Sequence, residues 1–206
     1  GNDQLFAAVG DPAHRLTGGS GADRFVIGHH ATAFAPLYAP LTITDFDGAQ
    51  GDRIDVSRIA PADEAVFFGA APFFLDFSAQ QGQSAPGGGA FPSHLALWTV
   101  AQGDRTIVYA DLNRNSVVDG GDLRLEVLGS TPIDAASFTS ARTALVGDEF
   151  DNVIYGTFED DAIDGRGGSD NLFGGAGDDW IDTGSVHDYG PWLRNIADGG
   201  DGDDTL

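Results

Sequence analysis

Acidic side chains recur every nine residues in the C-terminal part of the chain, and this spacing suggests a definite chemistry. From residue 147 the sequence divides into the nonapeptides GDEFDNVIY, GTFEDDAID, GRGGSDNLF and GGAGDDWID. Their sixth positions hold Asn152, Asp161, Asp170 and Asp179. Ca²⁺ takes about six to eight oxygen ligands in a forgiving geometry, so side-chain oxygens at a fixed repeat among glycines suit such a cation.

The eighth position of each nonapeptide is apolar, and it predicts the elements that position these oxygens. It holds Ile154, Ile163, Leu172 and Ile181. A single nine-residue unit cannot bury such a side chain alone, whereas stacked units can. The residues around position eight suit a very short strand, and the glycine-rich six before it suit a turn. We therefore predict a parallel roll whose stacked loops present carbonyl oxygens and one carboxylate per repeat.

Further copies of the nonapeptide lie near both ends of the chain. The sequence GGSGADRFV at 18–26 fits every position, and residues 1–5 fit positions four to eight. An interruption at 183–198 breaks the phase before it resumes at 199–206. The sixth positions of these copies are Asp3, Asp23 and Asp204. Because both ends fall inside repeats, we expect the chain to be a piece of a longer protein.

The pattern G-G-x-G-x-D-x-U-x resembles the calcium-binding repeat of RTX, or hemolysin-type, proteins. The resemblance implies a β-roll with two nonapeptides per coil and several Ca²⁺ ions, each between the loops of repeats n and n+2. It pairs Asn152 with Asp170, Asp161 with Asp179, and Asp3 with Asp23. Asn152 replaces the usual Asp in a glycine-poor loop, so its site is expected to be weaker. The implied metal-binding residues are Asp3, Gly18, Gly19, Gly21, Asp23, Asn152, Gly156, Asp161, Gly165, Gly168, Asp170, Gly174, Gly175, Gly177, Asp179, Gly199, Gly200, Gly202 and Asp204.

The middle of the chain has a different character. Between residues 27 and 146 glycine and aspartate thin out, and runs of alternating polarity predict half-buried strands. The segments at 43–59 and 106–129 resemble the C-terminal module of serralysin-type secreted proteases. That resemblance covers about residues 16–138 and implies a β-roll that runs into an antiparallel β-sandwich. Beyond this module the chain departs from the protease pattern, because a second roll begins at 147.

Two further places carry candidate calcium ligands. Residues 111–122 read DLNRNSVVDGGD, with oxygen side chains at positions 1, 3, 5, 9 and 12, as in an EF-hand-like loop. The alternative is a polar hairpin turn between two strands. Asp45 comes after the first roll and is a candidate ligand for its last loop, the alternative being an ordinary turn carboxylate. The candidates in the 111–122 loop are Asp111, Asn113, Asn115, Asp119 and Asp122.

Composition excludes several other kinds of chemistry. The chain of 206 residues has no Cys, which rules out disulfides, thiolate zinc sites and cysteine nucleophiles. A net charge of −22 argues against nucleic acid or an anionic membrane as partner, and no apolar run approaches the ~20 residues of a transmembrane helix. No zinc-protease, nucleophile-elbow or P-loop motif occurs. In the interruption, His187, Tyr189 and Trp192 are candidates for binding a glycan or protein ligand, unless these side chains pack back onto the roll.

These observations lead to one main hypothesis. We predict an all-β chain with a first RTX β-roll segment at 1–26, a sandwich-like module at 27–146 and a second roll at 147–206. Residues 147–206 carry 16 acidic and 2 Arg side chains, so without cations they should repel one another and stay unfolded. The predicted function is Ca²⁺-triggered folding after type I secretion, stabilising the remainder of a parent polypeptide outside the cell or at its surface, without catalysis. An adhesive or carbohydrate-binding module is the alternative, and a hydrolase is a weaker one.

Overall fold

The structure is almost entirely β-sheet and forms two compact units, residues 1–141 and 142–206. It is a computed structural model, and no described helix is long and apolar enough to cross a membrane. The all-β class predicted from the sequence is confirmed. The structure describes residues 1–9, 14–29, 41–59, 65–70, 94–119, 121–129, 132–139, 141–184 and 194–206, except for the side chains of Val9 and His29.

The first unit begins as a parallel roll. The strands β1, β3, β5 and β10 form one parallel sheet in that order, in which Leu5, Phe25, Ile54 and Phe138 stand in register. Phe25 was predicted at an eighth position, and it is fully buried. The strands of this unit are β1 (Gln4–Val9), β2 (Arg15–Leu16), β3 (Arg24–His29), β4 (Leu41–Phe46), β5 (Arg53–Arg58), β6 (Ala65–Ala70), β7 (Leu95–Gln102), β8 (Arg105–Ala110), β9 (Leu123–Gly129) and β10 (Phe138–Thr139). Short 3-10 helices lie at Gly48–Gln50 and Ala135–Ser137.

The second sheet of this unit carries both the roll and the module next to it. Its order is β6-β7-β8-β9-β4-β2. The pairs β2–β4, β4–β9 and β6–β7 are parallel, whereas β7, β8 and β9 form an antiparallel meander. The sheet is therefore mixed, where the sequence led us to expect antiparallel pairing, because β4 adds to the coil that β2 begins.

Both sheets of the first unit contribute to one large hydrophobic core. It contains Phe25 and Ile54 from the roll sheet and Leu97 and Leu125 from the mixed sheet, all fully buried. A second cluster contains Trp98, whose ring stacks on that of Tyr109 with centroids 5.5 Å apart. The first unit thus has an apolar interior sufficient for an ordinary domain.

The second unit is a parallel roll with a thin core. Its two sheets have the orders β11-β13-β15 and β12-β14-β16, and their pairings are parallel. Ile163, Leu172 and Ile181, all eighth-position residues, are its buried apolar cluster. The strands are β11 (Ala141–Val146), β12 (Val153–Tyr155), β13 (Asp161–Asp164), β14 (Asn171–Ala176), β15 (Trp180–Asp182) and β16 (Ile196–Asp201).

The roll resumes earlier than the sequence suggested. We expected residues 183–198 to lie outside it, but β16 begins at Ile196, and Ala197 stands opposite Leu172. Alanine satisfies the eighth position here, although its small side chain made the repeat hard to recognise. The predicted division of the first unit at residue 26 stays a prediction.

Candidate metal centres

The sixth-position side chains of the second roll form two rows of hydrogen bonds along the stacked coils, which we call the ladder. From the second coil onward, each of these side chains accepts a hydrogen bond from the backbone N–H of the sixth residue one coil earlier. Asp179 Oδ1 accepts from Asp161 N at 2.8 Å, and Asp170 Oδ1 accepts from Asn152 N at 2.9 Å. Asp204 Oδ1 likewise accepts from Asp179 N at 2.9 Å. The pairs that the RTX resemblance implied are therefore neighbours, and each coil is tied to the next through a carboxylate.

A ladder of the same kind lies in the first unit, and it includes one more coil than the sequence predicted. Asp23 Oδ1 accepts from Asp3 N at 2.7 Å, as the expected pairing requires. Asp52 Oδ1 in turn accepts from Asp23 N at 2.9 Å, so residues 47–55 form a further coil. Sequence reasoning missed it because DGAQGDRID has glycine only at positions two and five. The available clue was Asp52 at position six with buried Ile54 at position eight.

Asn195 is a second member of the ladder that sequence reasoning missed. Its Oδ1 accepts from Asp170 N at 2.9 Å, in the place of a sixth-position carboxylate. The repeat there reads GPWLRNIAD, which lacks most of the glycines and the aspartate. His187, Tyr189 and Trp192, the candidates for a ligand site in the interruption, lie outside the described residues.

One carboxylate oxygen in each of several ladder members has no hydrogen-bond partner in the described structure. These are Oδ2 of Asp23, Asp170 and Asp179, and each side chain is at most 1% exposed. In Asp161 the open atom is Oδ1, because Oδ2 accepts from the amide and hydroxyl of Thr157. Leaving buried polar atoms without partners is costly. A hard cation would satisfy them, so the donor set fits Ca²⁺.

Glycine at position one makes room for these carboxylates. A Cβ on Gly174 would overlap Asp179 Oδ2, and one on Gly18 would overlap Asp23 Oδ2. A Cβ on Gly165 would lie 2.7 Å from Asp170 Oδ2, closer than real Cβ contacts. The first-position glycines are therefore required because the sixth-position carboxylate folds back over them.

Glycines at positions two and four serve the turn itself. Gly175 and Gly177 have φ values of 111° and 114°, a region that side chains with a Cβ rarely adopt. The glycines predicted as part of the sites at positions two and four adopt positive φ in the same way, namely Gly19, Gly21, Gly168, Gly200 and Gly202. Gly156 and Gly199 are first-position residues that face Asp161 and Asp204.

The pKa values of the ladder carboxyls show that burying these charges together is unfavourable. Burial raises the pKa of the Asp170 carboxyl, and the charges of Asp151 and Asp148 act in the same direction. Burial also raises the pKa of Asp179, with Asp161 and Asp204 adding to the effect. The ionised ladder is therefore unfavourable by itself, and cations would relieve it.

Asn152, where the weakest calcium site was predicted, forms hydrogen bonds within its own loop. Asn152 Oδ1 accepts from Asp148 N at 2.8 Å, and its Nδ2 donates to Asp148 Oδ1 at 3.2 Å. The amide is thus used inside its own loop and carries no charge for a cation. Weaker Ca²⁺ binding at the first loop of the second roll stays a prediction.

Asp45 lies at the first roll, but both of its carboxylate oxygens already accept hydrogen bonds from backbone amides. Oδ1 accepts from Gly18 N at 3.0 Å and Oδ2 from Gly19 N at 2.8 Å. The side chain therefore fixes the backbone of the loop that precedes Asp23. Its role as a metal ligand stays a prediction.

The loop at 111–122 joins β8 to β9, and its oxygen side chains form hydrogen bonds within the loop. Asp111 accepts from the amides of Asn115 and Ser116, and Asp119 accepts from the side-chain amides of Asn113 and Asn115. Burial raises the pKa of Asp122 to about 7, and the charges of Asp111 and Asp119 add to it.

Side chains alone do not complete a metal cage at any of these places. Within the described ranges, no three His, Cys, Asp or Glu side chains are gathered as a metal site. In the rolls this is expected, because each repeat supplies one carboxylate and the stacked loops supply backbone carbonyls. For example, the Gly165 carbonyl oxygen borders the loop at Gly147, since it lies 2.7 Å from the position that a Cβ on Gly147 would take.

Comparison with known proteins agrees with this geometry. The family model of the RTX calcium-binding nonapeptide repeat, in four copies, matches residues 146–181 and 155–189. No curated protein and no solved structure matches the chain, and the resemblance to the serralysin module stays a prediction. The matched segments contain the ladder from Asn152 to Asp179. The chain therefore carries RTX calcium-binding nonapeptide repeats over residues 146–189, and repeats of this kind bind Ca²⁺ ions.

Proposed function

We propose that the chain is a module that folds on binding Ca²⁺ after secretion and stabilises a larger extracellular protein. The observation that carries this proposal is the set of buried carboxylate oxygens without partners, above all in Asp170 and Asp179. They lie where the loops of successive coils stack. The second roll is therefore built around charges that only a bound cation or a proton can satisfy.

The energetics of the second unit favour dependence on calcium. Residues 142–206 carry 16 acidic and 3 Arg side chains, while the buried apolar cluster among its described residues consists of Ile163, Leu172 and Ile181. So small an apolar cluster gives the second unit little stabilisation from burial to offset the entropy cost of ordering its chain. Net charge opposes compaction as well.

Calcium binding supplies the missing stability by linkage. Extracellular modules bind Ca²⁺ with dissociation constants of roughly 10⁻⁴–10⁻³ M. At a concentration about ten times the dissociation constant, each site adds about 1.4 kcal/mol. Several sites together reach the size of a small domain's stability. At cytosolic calcium this contribution vanishes, so the second roll stays unfolded until the chain leaves the cell.

We infer from the dependence on calcium that the module acts outside the cell. RTX repeats occur in proteins that leave the cell by type I secretion. An unfolded, highly acidic segment suits export, and external calcium then drives folding. We infer that the module acts without catalysis, and that its partners are Ca²⁺ and the rest of its own polypeptide.

A calcium titration of the metal-stripped chain tests the proposal. Far-UV circular dichroism should show a cooperative gain of β-structure between submillimolar and millimolar Ca²⁺, with no such gain in Mg²⁺. The variant Asp170→Ala should shift the midpoint to higher calcium. A far-UV spectrum and melting temperature that ignore Ca²⁺ would rule the proposal out.

A further inference from the structure

The hairpin between β8 and β9 places two buried carboxylates at the two ends of its loop, outside both rolls. Ala110 and Leu123 are register partners at the base of this antiparallel hairpin. Asp111 and Asp122 are the next residues on either side, so they flank the mouth of the loop. Asp111 is 3% exposed and Asp122 is fully buried. Aspartates are almost never buried to this degree unless they are paired.

A third carboxylate is tied into the same loop by hydrogen bonds. Asp119 N donates to Asp122 Oδ2 at 2.7 Å. Asn115 donates from its backbone to Asp111 Oδ1 at 3.2 Å and from Nδ2 to Asp119 Oδ2 at 2.7 Å. Asn115 and the Asp119 amide thus hold all three carboxylates around one loop interior.

One oxygen in this group is left open. Asp122 Oδ1 is buried and has no hydrogen-bond partner in the described part of the chain. The nearby Asp119 amide is used on Oδ2. Burial raises the pKa of Asp122 and the charges of Asp111 and Asp119 add to it, while the backbone amides of Asp119 and Leu112 lower it only in part. Such an arrangement raises the energy of the ionised carboxyl unless a positive charge lies beside it.

We propose that the loop at 111–122 binds a Ca²⁺ ion, with Asp122 Oδ1 as its buried ligand and Asp111 and Asp119 as the other carboxylates. The available ligands are all oxygens, which suits Ca²⁺ rather than a transition metal. The three carboxylates do not yet form a closed cage, so binding draws the loop together. This site lies outside the matched nonapeptides and does not depend on the rolls.

The calcium content of the full chain tests this site directly. After dialysis against about 1 mM Ca²⁺, Asp122→Asn should hold about one equivalent less than the unchanged chain, by elemental analysis. Asp104→Asn removes a charge from the neighbouring β7–β8 turn, where the side chain is 88% exposed, and should lose none. Hydrogen exchange of the 111–122 peptide should slow on adding Ca²⁺ and respond less in Asp122→Asn.

A second variant keeps the test decisive if Asp122→Asn fails to fold. Asp119 is only partly buried, so Asp119→Asn should preserve the fold, which the near-UV signal of the stacked Trp98 and Tyr109 reports. Full calcium content in both variants, or loop exchange that ignores Ca²⁺, would overturn the site in favour of a protonated Asp122. That result would leave the rolls' calcium binding untouched, so the two proposals fail separately.

Discussion

The two units share a nonapeptide ladder but differ in what holds them together. In the first unit the ladder of Asp3, Asp23 and Asp52 borders a core to which two sheets contribute. In the described part of the second unit a similar ladder accompanies a small buried cluster of Ile163, Leu172 and Ile181. The same local repeat is therefore compatible with two sources of stability, apolar burial in one unit and cation binding in the other.

The two units also differ in the balance of their charges. Residues 1–141 carry 16 acidic and 7 Arg side chains, whereas residues 142–206 carry 16 acidic and 3 Arg in less than half the length. In the first unit burial raises the pKa of Asp55, but hydrogen bonds from Ser57 and the Arg24 guanidinium 2.7 Å away more than offset this and lower it. In the second unit burial raises the pKa of Asp164, Asp170 and Asp179. We infer that calcium decides the folding of the second unit and only adjusts the first.

The largest effect is expected from Asp52→Ala in the first unit. The change removes the acceptors of Asp23 N and Asp47 N, at 2.9 and 2.8 Å, and should cost about 2–5 kcal/mol. Denaturant unfolding of the first unit should show this loss in EDTA and in Ca²⁺ alike. Asp104→Ala at an exposed turn is the control. A loss seen only in Ca²⁺ would mean that Asp52 serves a metal rather than the backbone.

Gly174→Ala should disturb the second unit by a steric route. Its Cβ would overlap Asp179 Oδ2 and the Gly199 carbonyl, at a cost of about 1–3 kcal/mol. Thermal unfolding in saturating Ca²⁺ measures it. Gly28→Ala is the matched control, because its nearest neighbour would be the Arg58 side chain at an ordinary 3.6 Å. Equal melting temperatures for the two variants would contradict the packing of the carboxylate over position one.

Asp179→Asn should lower the stability of the second roll in Ca²⁺ but not in EDTA. At about ten times the dissociation constant, loss of one site lowers the stability of the second roll by about 1.4 kcal/mol. In EDTA the same variant should fold no worse, since Asn keeps an Oδ1 acceptor for Asp161 N and removes the charge of a buried carboxylate with an open oxygen. Asp203→Ala removes an equal charge from an exposed position and serves as control. If both variants behaved alike in Ca²⁺, the sixth position would have no special role.

The smallest expected effect is the pH dependence. The raised pKa values of Asp164, Asp170 and Asp179 mean that the folded second unit binds more protons than the unfolded chain. In EDTA its stability should therefore fall as the pH rises from about 4. In saturating Ca²⁺ the slope should reverse, because protons then compete with the cation. Far-UV circular dichroism at several pH values measures the folded fraction of the second unit in EDTA, and melting curves measure its stability in Ca²⁺. Slopes of equal sign would contradict the proposed competition.

The repeat could be predicted from sequence wherever both of its markers were present. Period nine and the apolar eighth position located the repeats, and the resemblance to RTX proteins, with two nonapeptides per coil, implied that Asp161 and Asp179 are neighbours. The coils containing Asp52 and Asn195 were missed, since glycine is sparse there and the hydrogen-bond ladder tolerates other turns. Parallel pairing of β4 with β9 was also missed, because alternating polarity reports which face is buried and carries no strand direction.

The roles of single carboxylates were harder to predict than their positions. Asp45 and Asp170 are both acidic residues beside a glycine-rich loop, yet Asp45 uses both oxygens on backbone amides and Asp170 leaves one open. Only the arrangement of nearby N–H donors distinguishes a loop-fixing residue from a candidate ligand. Sequence spacing does not contain that information.

Hydrogen exchange with mass spectrometry on the full chain, in EDTA and in millimolar Ca²⁺, tests calcium-dependent folding of the second unit most directly. We expect peptides from β13, β14 and β15 to exchange like an unfolded chain in EDTA and to become protected on adding Ca²⁺. Peptides from β7, β8 and β9 should be protected in both conditions, because they belong to the apolar core. Equal protection of the second unit with and without Ca²⁺ would contradict calcium-dependent folding.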